Sequence, residues 1–212
     1  MPRRPRIVIP GAPHHITHRG NNGQKIFSKD RHYLTYLDLL CKYCKKYGLV
    51  IHGYCLMPNH IHIIGTPKEP TSLARAIGYT HQQYAQYFNY SENRKGHLWE
   101  SRYFSCPMDE DHFIQALLYV DRNPVRAGLA RNIEDYKWSS AGVHMGHADP
   151  AGLIVQHEWE AISERYGWDE IIDHEQDPVF INAIRFHTGK GLPLGKLKEK
   201  DSKKVESGDG YL

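Results

Sequence analysis

The sequence predicts an α+β protein: a ferredoxin-like (split βαβ) antiparallel sheet with helices packed on one face of it, plus a C-terminal extension. Residues His14–His18 alternate between polar and apolar side chains, as a half-buried strand does. Two further β-rich runs, Leu49–Leu56 and His60–Thr66, stand close together as a hairpin would. Segments with helical periodicity lie between and after these runs, so the predicted order of elements is β-α-ββ-α-β-α.

The elements of the first half follow from local signals. The first strand ends at the loop-forming run Arg19–Gly23. A helix then begins at the capping residues Ser28–Asp30, carries apolar residues every three or four positions, and ends near Gly48. The short segment Met57–Asn59 joins the two strands of the hairpin.

The second half is predicted in the same way. Thr71 and Ser72 cap a second helix, and Gly96–Pro107 is expected to be extended. Asp109–Asp111 opens a third helix, which should stop at Pro124 because proline cannot continue a helix.

We predict three segments along the chain. Residues 1–140 form the main domain, and residues 141–189 form a helical extension with short helices in Trp159–Tyr166 and Pro178–His187. Residues 190–212 are rich in lysine, glycine and serine and are expected to be a flexible basic tail.

Composition restricts the class of protein. Hydrophobic residues make up 40% of 212, and no run approaches a membrane span or a signal peptide, so we expect a cytoplasmic protein. The net charge is only +3, but both ends are basic, which fits a polyanionic partner; solvated tails are the alternative. Four cysteines are too few for a disulfide scaffold, and Cys41 and Cys44 are interpreted as buried thiols rather than a zinc site.

The first candidate site is the pair His60 and His62. Alternate residues of a strand point to the same face, so these imidazoles should project side by side while Ile61 and Ile63 enter the core. Two imidazoles on one strand suit a divalent metal ion. With 15 histidines in the chain the spacing alone is weak, and an exposed strand face is the alternative.

The second candidate site lies on the third helix. Its apolar stripe is Phe113, Leu117 and Val120, whereas Tyr119 and Asn123, four residues apart, share the other side. An amide oxygen there could complete a metal site, and a phenol could attack a bound phosphorus atom. Packing remains the ordinary role of any tyrosine.

Several motifs in order resemble one family. The His60-Ile61-His62 run after Met57-Pro58-Asn59 looks like the HUH signature, and 119–129 resembles the tyrosine helix and following loop of the REP-associated tyrosine transposases. Three more segments, 15–21, 98–103 and 136–140, are similar to that family in the same order. The resemblance covers roughly residues 8–140.

The resemblance implies a metal-dependent transposase that nicks and rejoins single-stranded DNA. In the family, two histidines hold Mg²⁺ or Mn²⁺ and a tyrosine attacks the scissile phosphate, leaving a 5′-phosphotyrosine. Carried over, His60 and His62 are metal ligands, Tyr119 is the nucleophile and Asn123 the expected third ligand, which a water could replace. The implied partner is hairpin or palindromic repeat DNA, and the protein could act as a monomer or a homodimer.

The expected DNA-binding residues lie outside this core set. Arg19 and Asn21 match positions where the family contacts DNA, and Arg102, Tyr103 and Arg126 could hold phosphates or stack on bases. An ordinary surface position is the alternative for each of them.

Three other functions remain open at this point. A replication initiator or relaxase would use the same chemistry, but the chain is short and has no helicase. A non-catalytic nucleic-acid-binding module could share the fold. A zinc hydrolase is disfavoured, since no acidic residue stands near the histidine pair in the sequence.

Overall fold

The computed structural model describes residues 5–172, 174 and 176–197. Within them the strands form one antiparallel sheet in the order β2-β3-β1-β4. The strands are β1 (His14–Arg19), β2 (Leu49–Met57), β3 (His60–Pro67) and β4 (Phe104–Pro107). The helices are α1 (Asp30–Tyr47), α2 (Ser72–Ser91), α3 (Glu110–Asp121), α4 (Asn123–Arg126), α5 (Ala141–His144), α6 (Gln156–Tyr166), α7 (Trp168–Ile171) and α8 (Pro178–Lys190).

The predicted α+β class is confirmed, and the strand order is compatible with a ferredoxin-like arrangement. The last strand is shorter than predicted, because only Phe104–Pro107 pairs with β1. Residues Gly96 and Ser101 have positive φ angles of 93° and 53°, which interrupt an extended backbone in the segment before it.

Helices cover both faces of the sheet, so the prediction of helices on one face is wrong. His15 and His18 are three residues apart on β1 and therefore point to opposite faces. His18 contacts His81 of α2, whereas His15 contacts Tyr119 of α3. The helices α1 and α2 thus lie on one face and α3 on the other.

Helix α3 packs against the sheet at Gly53. A Cβ atom at Gly53 would lie 2.7 Å from Leu117 Cδ2, so the Leu117 side chain would have to shift to admit a larger residue. The helix begins as predicted, where the Asp109 side chain accepts a hydrogen bond from the His112 backbone N–H at 3.0 Å. The cap thus sets where the helix that carries Tyr119 begins, and Gly53 leaves space for its Leu117 side chain.

The C-terminal segment packs on the same core. Trp159, Trp168 and Ile184 are buried with the residues of the sheet. Buried His144 contacts the Asp121 carboxylate at 2.6 Å and the His52 carbonyl oxygen at 2.8 Å, which ties α5 to α3 and β2. A domain boundary at residue 140 stays a prediction.

Helix α8 lies against β1, β4 and α3. After it, Leu194 is buried and its backbone N–H donates to the Pro107 carbonyl oxygen at 2.9 Å. Residues 190–197 of the predicted tail are thus attached to the sheet, and the lysines from Lys198 onward lie outside the described residues.

Membrane-spanning helices and a zinc site at Cys41 and Cys44 can be examined in the described part of the chain. None of its helices is long and apolar enough to cross a membrane. Cys44 is buried and Cys41 partly buried, and no group of three or more metal-ligating side chains was found among the described residues.

Candidate active site

The histidine pair lies on the α3 face of the sheet. His62 pairs with Thr17 of β1 and Cys55 of β2, which places it in the middle of the sheet. The ring centroids of His60 and His62 are 4.9 Å apart, while Ile61 and Ile63 are fully buried on the opposite face. The strand alternation predicted from the sequence is what brings the two imidazoles together.

Tyr119 of α3 lies next to this pair. Its ring centroid is 5.6 Å from that of His62 and 5.8 Å from that of His15, in both cases edge to face. Tyr119 is buried but lines a cavity of about 390 Å³. The structure therefore brings His62 and Tyr119, which are 57 residues apart in the sequence, together around one cavity.

The two imidazoles have the protonation state that a metal ligand needs. Burial, together with the charge of Arg19, lowers the pKa of His60 to about 4. Burial also lowers the pKa of His62 well below its ordinary value, as do the neighbouring His15 and His60. At neutral pH both rings are neutral, so each can offer a nitrogen lone pair to a cation.

The hydrogen bond of His60 orients that lone pair. His60 Nδ1 lies 2.7 Å from Asn59 Oδ1, and an amide oxygen can only accept, so His60 donates from Nδ1. Its Nε2 atom is left unprotonated. Two neutral imidazoles side by side on one strand fit a divalent cation that keeps other positions for oxygen ligands.

Asn123 does not join the pair in this structure. Its Oδ1 accepts from Arg126 Nη2 at 2.7 Å, its buried Nδ2 has no partner, and Asn123 does not line the cavity. Helix α3 ends at Asp121, and Asn123 begins the separate turn α4 that contains Pro124. Its role as a third ligand stays a prediction.

Arg126 is placed to hold Tyr119. Its Nη2 atom donates to the Tyr119 backbone oxygen at 3.0 Å, and its guanidinium carbon lies 4.5 Å from the centre of the Tyr119 ring. A guanidinium over a phenol ring is a favourable cation–π contact.

The other predicted DNA-binding residues are spread around this site. Exposed Arg19 lines the cavity, and Asn21 begins the short 3-10 turn Asn21–Gly23 just beyond it. Arg102 is exposed, but Tyr103 is buried and the Arg6 guanidinium lies 3.6 Å from its ring centre. Tyr103 can therefore stack on a base only if Arg6 moves.

The sequence reasoning missed several residues of the site. Among them are His15, Glu100, Arg185 and Thr188, which line the same cavity. His15 stands in the alternating first strand, where its face could have been predicted; the other three could not be placed without the fold. Arg185 Nε donates toward Tyr119 Oη at 3.5 Å, so the C-terminal helix α8 reaches the predicted nucleophile.

The fold and this cavity define an α+β protein in which a sheet presents two imidazoles to a tyrosine on a helix. The chain belongs to the IS200-like transposase family, whose family model matches residues 11–123. That match confirms the transposase family expected from the motifs. It ends at Asn123, so α8 lies outside the matched region.

A solved transposase structure shares this fold, and a second solved structure shows a weaker similarity. The REP-associated tyrosine transposase bound to a REP hairpin is 17% identical, with a TM-score of 0.57 over 84% of this chain and 93% of that chain. A candidate transposase from Deinococcus radiodurans R1 is also 17% identical, with a TM-score of 0.39 over 57% of this chain and 96% of that chain. Comparison with curated protein sequences gives no match.

Proposed function

We propose that this transposase nicks and rejoins single-stranded DNA through a covalent 5′-phosphotyrosine at Tyr119. The observation that carries the proposal is the position of the Tyr119 ring, 5.6 Å from His62 in a cavity that Arg19 and Arg185 also line. A nucleophile, a pair of candidate metal ligands and cationic groups for phosphate are the parts that phosphoryl transfer needs.

We propose His60 and His62 as the residues that hold Mg²⁺ or Mn²⁺. Their fit rests on the neutral rings and on the unprotonated Nε2 of His60. When bound, the ion would polarise the scissile phosphate as a Lewis acid. We propose Asn123 as the third ligand, which requires its oxygen to leave Arg126, or a water in its place; further water and phosphate oxygens would complete the set.

In the nicking step, the Tyr119 oxygen forms a bond to phosphorus while the bond from phosphorus to the 3′ oxygen breaks. The phenol proton passes to water in the cavity, and the departing 3′ oxygen takes up a proton. Arg185, which donates toward Tyr119 Oη, would stabilise negative charge on that oxygen. Rejoining is the reverse attack by a 3′-hydroxyl, and it needs no ATP because the phosphodiester energy is kept in the tyrosine link.

We propose a hairpin or palindromic repeat as the DNA. The support is the fold shared with a transposase bound to a REP hairpin, together with exposed Arg19, Arg102 and Arg126. We propose Asn21 and Tyr103 as further DNA contacts; Arg6 would have to leave the Tyr103 ring first.

The decisive experiment is the substitution Tyr119→Phe. Parental protein incubated with 3′-labelled hairpin DNA and Mn²⁺ should give a covalent band on a denaturing gel, because the downstream fragment keeps both the label and the tyrosine. The Phe variant should give no such band and should bind the DNA within a few-fold of the parent. Tyr90→Phe is the matched control, since Tyr90 is 91% exposed on α2. A covalent band from the Tyr119 variant would assign the nucleophile to another residue, and no band from the parent would favour a non-catalytic binding module.

A further inference from the structure

A chain of buried polar contacts runs from the C-terminal helix to the candidate metal ligand His62. Thr188 Oγ1 of α8 lies 2.8 Å from His15 Nδ1, and His15 Nε2 lies 2.9 Å from His62 Nδ1. Thr188 and His15 are each 2% exposed. The chain joins three elements, α8, β1 and β3, that lie far apart in sequence.

Two directions are open to these hydrogen bonds. A threonine hydroxyl can donate or accept, and either ring nitrogen of a neutral histidine can carry the hydrogen. In only one of the two directions does His62 keep a lone pair on Nε2, and in that direction Thr188 accepts from His15 Nδ1.

The remaining protons follow from this step. In that direction His15 donates from Nδ1 to Thr188; the residue is 2% exposed and both partners of its ring are uncharged groups, so the ring is neutral and its Nε2 carries a lone pair. That lone pair accepts a hydrogen from His62 Nδ1. The planes of the two rings are within 4° of each other, as a hydrogen bond in the plane of both rings requires. His62 is thus left with an unprotonated Nε2.

We propose that Thr188 and His15 are positioning residues that hold His62 in the one tautomer able to bind a metal ion through Nε2. The inference rests on the proposed function, in which His62 is a ligand. With the hydrogen bonds reversed, His62 would present an N–H group at Nε2 and could not ligate a cation there. Partners of this kind on ligating histidines typically contribute about 10–100-fold to metal affinity.

The structure also gives the C-terminal extension a role in the site. The family model ends at residue 123, yet Thr188 and Arg185 of α8 both contact side chains of the proposed centre. In this proposal, helix α8, which lies outside the residues matched by the family model, supports the metal ligands on the sheet through Thr188.

The test is Mn²⁺ binding by the full-length protein, measured from the electron paramagnetic resonance signal of free Mn²⁺ in the absence of DNA. Thr188→Val keeps the shape of the side chain and removes the acceptor, so it should weaken Mn²⁺ binding about 10-fold or more. Thr188→Ser keeps the hydroxyl and should bind Mn²⁺ within about threefold of the parent. DNA affinity in EDTA should be the same for all three proteins, and urea unfolding checks that each is folded.

The outcomes separate this inference from the proposed function. If His62→Ala loses Mn²⁺ while Thr188→Val binds as the parent does, the metal site stands and the positioning role is overturned. Equal loss in the Val and Ser variants would also overturn it, because the hydroxyl would then not be what matters. If the parent itself binds no Mn²⁺, the proposed metal and the positioning role are overturned together. Should Thr188→Val fail to fold, His15→Gln replaces it, with the same 10-fold loss expected.

Discussion

The two imidazoles on β3 differ in how they are held, although both are proposed ligands. His60 lies at the first position of the strand and is oriented by its neighbour Asn59. His62 lies deeper and depends on His15, a residue of another strand. The chemistry of one His-x-His motif is therefore set partly by a local contact and partly by tertiary structure.

Removing either imidazole should abolish most of the cleavage. We expect His60→Ala and His62→Ala each to lower the cleavage rate at least about 100-fold, since Lewis-acid assistance is worth several kcal/mol and about 1.4 kcal/mol corresponds to tenfold. The measurement is single-turnover cleavage of labelled hairpin DNA at several Mn²⁺ concentrations.

The control for this pair is His157→Ala, because His157 is exposed on α6 and should cleave at the parental rate. Full activity of the parent in EDTA would contradict the metal assignment. So would parental rates for both alanine variants.

At the scale of elements, the helix α3 shows what the sequence could and could not predict. Its start at Asp109 and its inward stripe of Phe113, Leu117 and Val120 followed from capping and periodicity, and these residues are buried. Tyr119 and Asn123, which were predicted to share the other side, are also buried. The covering helix α8 begins 59 residues after Tyr119, and periodicity within α3 contains no information about it.

The same limit applies to the site residues. His60, His62 and Tyr119 were found through strand alternation and the resemblance to a family, and they meet around one cavity. Arg185 and Thr188 sit on a short helix whose sequence gives no sign of chemistry. Only the packing of α8 on β1 and α3 shows that they belong to the site.

Helix α8 should contribute measurably to stability through Ile184, which is fully buried. We expect Ile184→Ala to lower the free energy of unfolding by about 2–5 kcal/mol, the range for removing a buried aliphatic side chain. Val179→Ala on the same helix is the matched control, because Val179 is 72% exposed and the change should stay within about 0.5 kcal/mol. Urea denaturation followed by tryptophan fluorescence measures both. Equal stability of the two variants would mean that α8 is not docked in solution.

At the scale of the whole molecule, we expect the exposed cations to favour unpaired DNA over plain duplex. Arg19 lines the cavity, Arg102 and Arg126 are also exposed, and guanidinium groups can both pair with phosphates and stack on bases. One stacked base contributes about 1–3 kcal/mol, so a single-stranded hairpin should bind at least about fivefold more tightly than the same sequence as duplex. Gel-shift titrations at one salt concentration compare the two. Equal affinities would instead indicate a general duplex binder.

Buried neutral histidines should make the whole fold sensitive to mild acid. Burial lowers the pKa of His14 and His18 to about 4, and both are buried in the fold. In the unfolded chain these rings have a pKa of about 6.5. Below pH 6.5 the unfolded chain therefore binds protons that the folded protein excludes, so stability is complete above that pH and is lost as the pH falls toward 4.

By linkage, one histidine whose pKa is about 4 when folded and about 6.5 when unfolded should lower the free energy of unfolding by about 2 kcal/mol between pH 7 and pH 5. Urea unfolding of the parent at pH 7, 6 and 5 should show a loss of at least that size. His14 donates from Nδ1 to the Ala12 carbonyl oxygen and accepts from the Ile9 N–H, a pattern that an uncharged glutamine side chain can also make. His14→Gln should therefore lose about 2 kcal/mol less than the parent over the same pH range, whatever its stability at pH 7. If the two proteins lose stability in parallel, protonation of His14 is not a source of the acid sensitivity.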